Sequence, residues 1–109
     1  MKKLALSVLF LILSFPVLSQ VEVKYFNAGW NAVNEIEWVS KLTDCELEKF
    51  DIGITPKTAQ DYKVVVVPTI IIFQDGEEVE RYQADISFKM SATREEVQDY
   101  IDELIMSAF

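Results

Sequence analysis

Apolar residues follow two kinds of pattern along this chain: alternating or unbroken runs, and recurrences every three or four positions. Val21 to Asn27 (Val-Glu-Val-Lys-Tyr-Phe-Asn) alternates and then turns apolar, as a strand does when its second half enters a core. From Asn31 to Leu42, apolar Val33, Ile36, Val39 and Leu42, with Trp38 alongside and Glu35, Glu37 and Lys41 between, have helical spacing. That predicts about three turns of amphipathic helix. After a break at Thr43-Asp44, Glu46 to Ile52 alternates charged with apolar residues, which suits an edge strand with one face in the core. Thr55-Pro56 predicts a short helix to about Tyr62, with Thr55 as N-cap and Pro56 at the first helical position.

Val64 to Val67 leads into Pro68, and Thr69 to Phe73 is β-branched and unbroken, the mark of a central strand covered on both faces. Asp75-Gly76 signals a two-residue hairpin returning into Glu77 to Ala84, a second charged edge. Asp85 to Ala92 is a connector without an assignable pattern. Thr93-x-x-Glu96 is a capping box ahead of a stripe at Val97, Tyr100, Ile101, Leu104 and Ile105. The order β-α-β-α-β-β-α, two parallel connections followed by a hairpin and a last helix, predicts an α/β fold: a four-stranded mixed sheet with helices on both faces.

The first nineteen residues stand apart from this pattern. Lys2-Lys3 precede an apolar run from Leu4 to Leu13, and Ser14-Phe15-Pro16-Val17-Leu18-Ser19-Gln20 supplies small residues before a plausible cut. We read residues 1–19 as a signal peptide cleaved after Ser19 and residues 20–109 as one exported domain, periplasmic or secreted. The alternative is an uncleaved membrane anchor, against which Pro16 and the shortness of the apolar core both count. The Leu-Ser-Gln end would suit a Gram-negative bacterium or one of its phages.

Charge and composition narrow the function classes. The whole chain has 10 basic and 18 acidic residues in 109, a net charge of −8, and losing Lys2 and Lys3 with the leader takes the basic count from 10 to 8. A domain so acidic repels phosphate backbones and anionic lipid, so a nucleic-acid partner is not expected and a membrane enters only through an uncleaved leader. There is no His, and the scattered acidic residues lack the alternation of a calcium loop, so neither metal, cofactor nor imidazole catalysis is expected. Cys45 is the single cysteine and cannot close an intramolecular disulfide. It reads as a small buried hydrophobe at a strand start, or else as a free thiol able to form mixed disulfides.

The chain is organised around Tyr25-Phe26-Asn27-Ala28-Gly29-Trp30-Asn31-Ala32-Val33-Asn34, a strand passing through a Gly-containing turn into the first predicted helix. Asn31 fits a helix N-cap. Together with Val67-Pro68-Thr69, the stretch resembles the thioredoxin family, in which Trp-Cys-x-x-Cys at a strand-to-helix turn faces a cis-proline loop. The resemblance covers essentially all of Val21 to Ile105. It implies that Trp30 keeps the family's aromatic residue, Pro68 falls on the cis-proline, Lys49 on a basic residue of the second strand and Ala84 on a position often held by Gly. Asn31 and Asn34 stand where the family has its two cysteines, and Tyr25 where it has a buried acid.

An amide is neither a thiolate nor a redox couple, so no catalytic residue is assigned and dithiol exchange at this place is not expected. The resemblance then implies a redox-inactive domain that binds a protein or extended peptide segment, or serves as an assembly subunit. Its binding residues would be Trp30, Asn31, Asn34, Val67 and Pro68, with a cis bond turning the Val67 N–H and C=O outward for an added strand. Two bland alternatives stand beside this: Trp30 as a core aromatic, and Pro68 as a rigid turn before a central strand. The enzymatic alternative is a thiol-dependent oxidoreductase or one-cysteine redox protein using Cys45.

Overall fold

Unbroken β-branched side chains make Thr69–Gln74 (β3) a strand with no wet face: Thr69, Ile70, Ile71, Ile72 and Phe73 are all buried. The computed structural model describes residues 20–108, so the expected leader at 1–19 lies outside the described residues. β3 lies beside Val21–Asn27 (β1), with Glu46–Asp51 (β2) and Glu77–Gln83 (β4) on the flanks, in the order β2-β1-β3-β4. β1 runs parallel to β2, with Phe26 opposite Phe50, and antiparallel to β3, with Val23 opposite Ile72.

The expectation of two parallel connections is therefore corrected to one. β2 finishes level with Asn27, and β3 starts at that same end of the sheet, opposite Phe26. The intervening helix Pro56–Asp61 (α1) has six residues, which span about 9 Å and do not return the chain along a strand of roughly 20 Å. Asp75 (φ 52°) and Gly76 (φ 86°) both adopt the left-handed region and close the β3–β4 hairpin, with Gln74 opposite Glu77.

Period-two alternation divides the core between two sheet faces. On one, Val21, Val23, Tyr25, Ile70 and Ile72 meet Val97 and Ile101 of Arg94–Ser107 (α2), with Ile36 and Val39 completing the cluster. Thr93 caps α2, its Oγ1 accepting from the Glu96 N–H at 3.2 Å. On the other face Phe26, Ala28, Val67, Ile71 and Phe73 pack with Phe50, Ile52, Tyr62 and Val64, and the Phe26 and Phe50 rings stack at 4.9 Å. The Lys24 ammonium is drawn into this second face, 5.4–5.8 Å from the ring centroids of Phe50, Tyr62 and Phe73 and 2.6 Å from Glu48 Oε1. Thr55 sits at the N-cap of α1 without a side-chain cap bond; its hydroxyl donates to the Asp51 carbonyl instead.

The predicted helix from Asn31 to Leu42 is also corrected. The segment forms two 3₁₀ helices, Gly29–Asn34 and Glu37–Lys41, interrupted at Glu35-Ile36. Ile36 and Val39 are buried as the spacing predicts, but Val33 is 91% exposed. Asn31 inside the first helix turns its amide inward to Asn27 and to backbone carbonyls, and the non-helical backbone at Glu35 and Ile36 separates the two helices and turns Val33 away from the face that Ile36 and Val39 share.

Candidate functional site

The first 3₁₀ helix begins where β1 leaves the sheet, and its first turn folds back over the strand end. Ala28 occupies the N-cap, while Asn31 lies inside with φ −110° and ψ 24°. The expectation that Asn31 is a cap is thus corrected: its side chain is spent inward. Asn31 is 3% exposed, and its Nδ2 donates to Asn27 Oδ1 at 3.1 Å, with longer contacts to the Val67 carbonyl at 3.4 Å and the Phe88 carbonyl at 3.5 Å. An amide nitrogen has two hydrogens, so the second is shared between those carbonyls. Asn34 Nδ2 donates to Asn31 Oδ1 at 2.9 Å.

The chain of polar side chains continues into the core. Asn27 Nδ2 donates to Glu35 Oε1 at 2.7 Å, and the Tyr25 hydroxyl donates to the same oxygen at 2.7 Å while accepting from the Ile36 N–H at 2.9 Å. Burial, and then the Glu35 carboxylate that takes its hydrogen bond, push the Tyr25 phenol well above its ordinary range. Among the described residues no buried side-chain nitrogen or oxygen lacks a hydrogen-bond partner. Tyr25, Asn27, Glu35, Asn31 and Asn34 therefore form one satisfied network running from the core to the turn.

The Val67–Pro68 peptide bond is cis, and both residues are buried against this turn. The Val67 carbonyl, expected to face outward, points at Asn31 Nδ2, and the Pro68 carbonyl accepts from the Ala84 N–H at 3.0 Å. Thr69 Oγ1 donates to the Val66 carbonyl at 2.6 Å and steadies the loop. Trp30 is 65% exposed, which corrects the core-aromatic alternative. Its ring meets that of Phe88 edge-on, with centroids 5.2 Å apart. Asn31, Asn34, Val67 and Trp30 are thus brought together, with Pro68 beside them.

Sequence reasoning missed Asn27, Glu35 and Phe88. Asn27 and Glu35 lie four residues to either side of Asn31, a spacing that could have drawn attention to polar groups at a strand end. Phe88 gave no such signal inside the unassigned connector. Cys45 precedes β2, half-buried beside Val21 at the sheet end opposite the turn, roughly 20 Å away along β1. Burial and the neighbouring Asp44 carboxylate raise its thiol pKa, which reduces the thiolate present near neutrality. Lys49 Nζ donates to Ser40 Oγ at 2.6 Å and lines a cleft of ≈ 510 Å³ with Tyr25, Asn27, Glu35 and Asp51. Among the described residues no group of three His, Cys, Asp or Glu is placed to hold a metal ion, and no helix is long and apolar enough to cross a membrane.

Comparison with known proteins gives a consistent outcome. The family model for thioredoxin matches residues 30–102. Thioredoxin from Mycobacterium bovis is 42% identical over 41 residues, covering 38% of this chain and 35% of that protein. This and similar stretches span little more than a third of the curated relatives they match. A point-mutant thioredoxin from Halobacterium salinarum superposes with a TM-score of 0.63 at 26% identity, over 79% of this chain and 75% of that one. Thioredoxin 1 from Thermosipho africanus gives 0.60 at 21% identity, over 79% and 96%.

Proposed function

The chain belongs to the thioredoxin family, and on that premise we propose that it is an exported domain without redox activity that binds an extended protein segment, or one stable partner, at the face formed by Trp30, Asn31, Val67 and Pro68. The observation that carries this reading is the fate of the motif. At both cysteine positions stands an amide tied into a hydrogen-bond network, while the chain's only thiol lies at the opposite end of β1. A thiolate is the nucleophile in disulfide exchange, and neither Asn31 nor Asn34 can supply one. The exposed aromatic surface of Trp30 next to the proline loop remains, and docking on it needs no cysteine, although the Val67 carbonyl is turned toward Asn31. The alternative built on Cys45 is disfavoured by the raised thiol pKa and the position of that residue.

Two measurements test the proposal. Reduction of insulin disulfides should proceed at the background rate and be unchanged by Cys45→Ser; turnover above background overturns the redox-inactive reading. Capture from periplasmic extract should recover a partner that Trp30→Ala loses, and its stoichiometry separates a stable assembly from transient binding. Equal recovery by both proteins rejects the face. Sequencing the N-terminus of the expressed protein tests export, with Gln20 expected as the first residue.

A further inference from the structure

We propose that the connector from Asp85 to Met90 is an autoinhibitory cap, with Phe88 seated on Trp30 and Asn31 and displaced when a partner binds. This rests on the binding reading above and assigns its regulation.

The connector is fastened to the site at one residue. Phe88 places its ring edge on Trp30 at 5.2 Å between centroids, and its carbonyl 3.5 Å from Asn31 Nδ2. It adopts φ 64°, a left-handed conformation uncommon for a bulky side chain. That conformation is sustained by Asp85, whose Oδ1 accepts from the Ser87 N–H at 2.8 Å, the Ser87 hydroxyl at 2.6 Å and the Lys89 N–H at 3.2 Å. Backbone bonds from Phe88 N–H to the Asp85 carbonyl and from Asp85 N–H to the Lys89 carbonyl, each 3.0 Å, complete the turn.

The same contacts show why the cap can leave. The Asn31 hydrogen aimed at the Phe88 carbonyl is also aimed at that of Val67, so opening leaves no buried amide without an acceptor. Phe88 is 39% exposed and is absent from both core clusters. On the other side, Lys89 and Met90 form one wall of a ≈ 420 Å³ cleft whose opposite wall runs from Asn34 to Trp38. Ile86 and Phe88 therefore lie outside the core, while Met90 packs against the cluster of Val97 and Ile101 and anchors the connector's far end. Phe88 leaves Trp30 65% exposed, so it is at the Asn31 amide, 3% exposed and within 3.5 Å of the Phe88 carbonyl, that a partner meets a competent surface only in the open fraction, and its apparent affinity falls by that fraction.

The test compares wild type with Phe88→Ala, Phe88→Gly and Asp85→Ala. Phe88→Gly removes the ring and also relieves the positive φ, so it keeps a folded comparison if Phe88→Ala destabilises; Asp85→Ala frees the connector while leaving the ring in place. The probe is an uncharged extended heptapeptide, acetyl-Ser-Val-Thr-Phe-Thr-Val-Ser-amide, titrated against labelled protein while following the Trp30 indole N–H and the Asn31 side-chain amide by NMR. Both Phe88 variants should bind about tenfold tighter than wild type, as expected where the open fraction is about one in ten, with Asp85→Ala between them and shifts centred on Trp30 and Asn31. Equal binding at Trp30 by all four proteins rejects the cap and leaves the binding face standing. Absence of shifts at Trp30 and Asn31 in every protein, the open variants included, rejects the binding face and the cap with it.

Discussion

At the scale of single residues, what separates this turn from a dithiol site is the use of two amides as a structural bracket. Asn31, at a kink in the first 3₁₀ segment, and Asn34 are three positions apart, and their amides touch at 2.9 Å. Cysteines in their place would fall within the span that a disulfide bridges. We therefore expect Asn31→Cys/Asn34→Cys, made together with Cys45→Ser, to fold and to form an internal disulfide, detected as the loss of two hydrogens by mass spectrometry under non-reducing conditions. Its reduced form should be less stable than the parent by about 1–3 kcal/mol, because Asn27 Oδ1 loses its buried donor. Thiols that never oxidise to an intramolecular bond would show that the turn no longer has the shape of the redox motif. Any reductase activity gained should be poor, since Tyr25 stands where the resemblance places a proton-handling acid and its phenol holds its proton firmly. The positions of Trp30, Asn31 and Asn34 were legible from the sequence because they follow a strand end. The inward turn of the Asn31 amide was not, since a surface cap and a buried bracket use the same residue type.

At the scale of elements, the strands were readable and the first helix was not, for one physical reason. A strand's pattern has period two and survives local distortion, so β3 and the Asp75-Gly76 hairpin follow directly from residue types. Residues three apart share a face of a 3₁₀ turn, so that period alone would have kept the stripe together; the non-helical backbone at Glu35 (ψ 136°) and Ile36 (ψ 94°) between the two short helices breaks it and moves one apolar residue from the core to the surface. Val33 is that residue. Val33→Ala should alter stability by less than about 0.5 kcal/mol, as for an exposed site. Val39→Ala, at a fully buried position, should cost about 1.5–3 kcal/mol. Urea denaturation of both variants decides between the geometries, because a continuous α-helix with the stripe Val33–Ile36–Val39–Leu42 in the core requires both to be costly. The connector from Asp85 to Ala92 escaped reading altogether. Its order comes from one aspartate bonding to its own loop, one aromatic in contact with a distant tryptophan, and Met90 and Ala92 packing on the core, and none of these leaves a periodic trace.

At the scale of the whole molecule, the sequence disclosed the acidic balance and the mixed sheet, but not that several titrating groups are buried so as to hold their protons. Burial raises Tyr82 to about 12, raises Tyr25 further with Glu35 adding to it, and raises Cys45 together with Asp44. For Lys24 burial opposes the shift, but the hydrogen bond to Glu48 and the nearby Tyr62 outweigh it, so the ammonium too is raised. All four share one sign. The folded state binds each proton more tightly than the unfolded chain, so the stability they confer is fully present below the ordinary values and is lost as pH climbs through the raised ones. For the phenols and Lys24 that window opens near pH 10, and for the thiol somewhat lower. Self-repulsion of a chain with net charge −8 already at pH 7 acts in the same direction. Comparison with Tyr25→Phe isolates the one phenol that links the core to the candidate site. The variant should start less stable at pH 8, because Glu35 loses a donor and the Ile36 N–H its acceptor. Above pH 10 its stability should fall less steeply than that of wild type, by up to about 1.4 kcal/mol per pH unit, the value of one proton. Urea denaturation at pH 8, 10 and 11.5 reads both slopes. Parallel slopes would mean that Tyr25 ionises as readily in the folded protein as in the unfolded chain, which is incompatible with a phenol buried against Glu35.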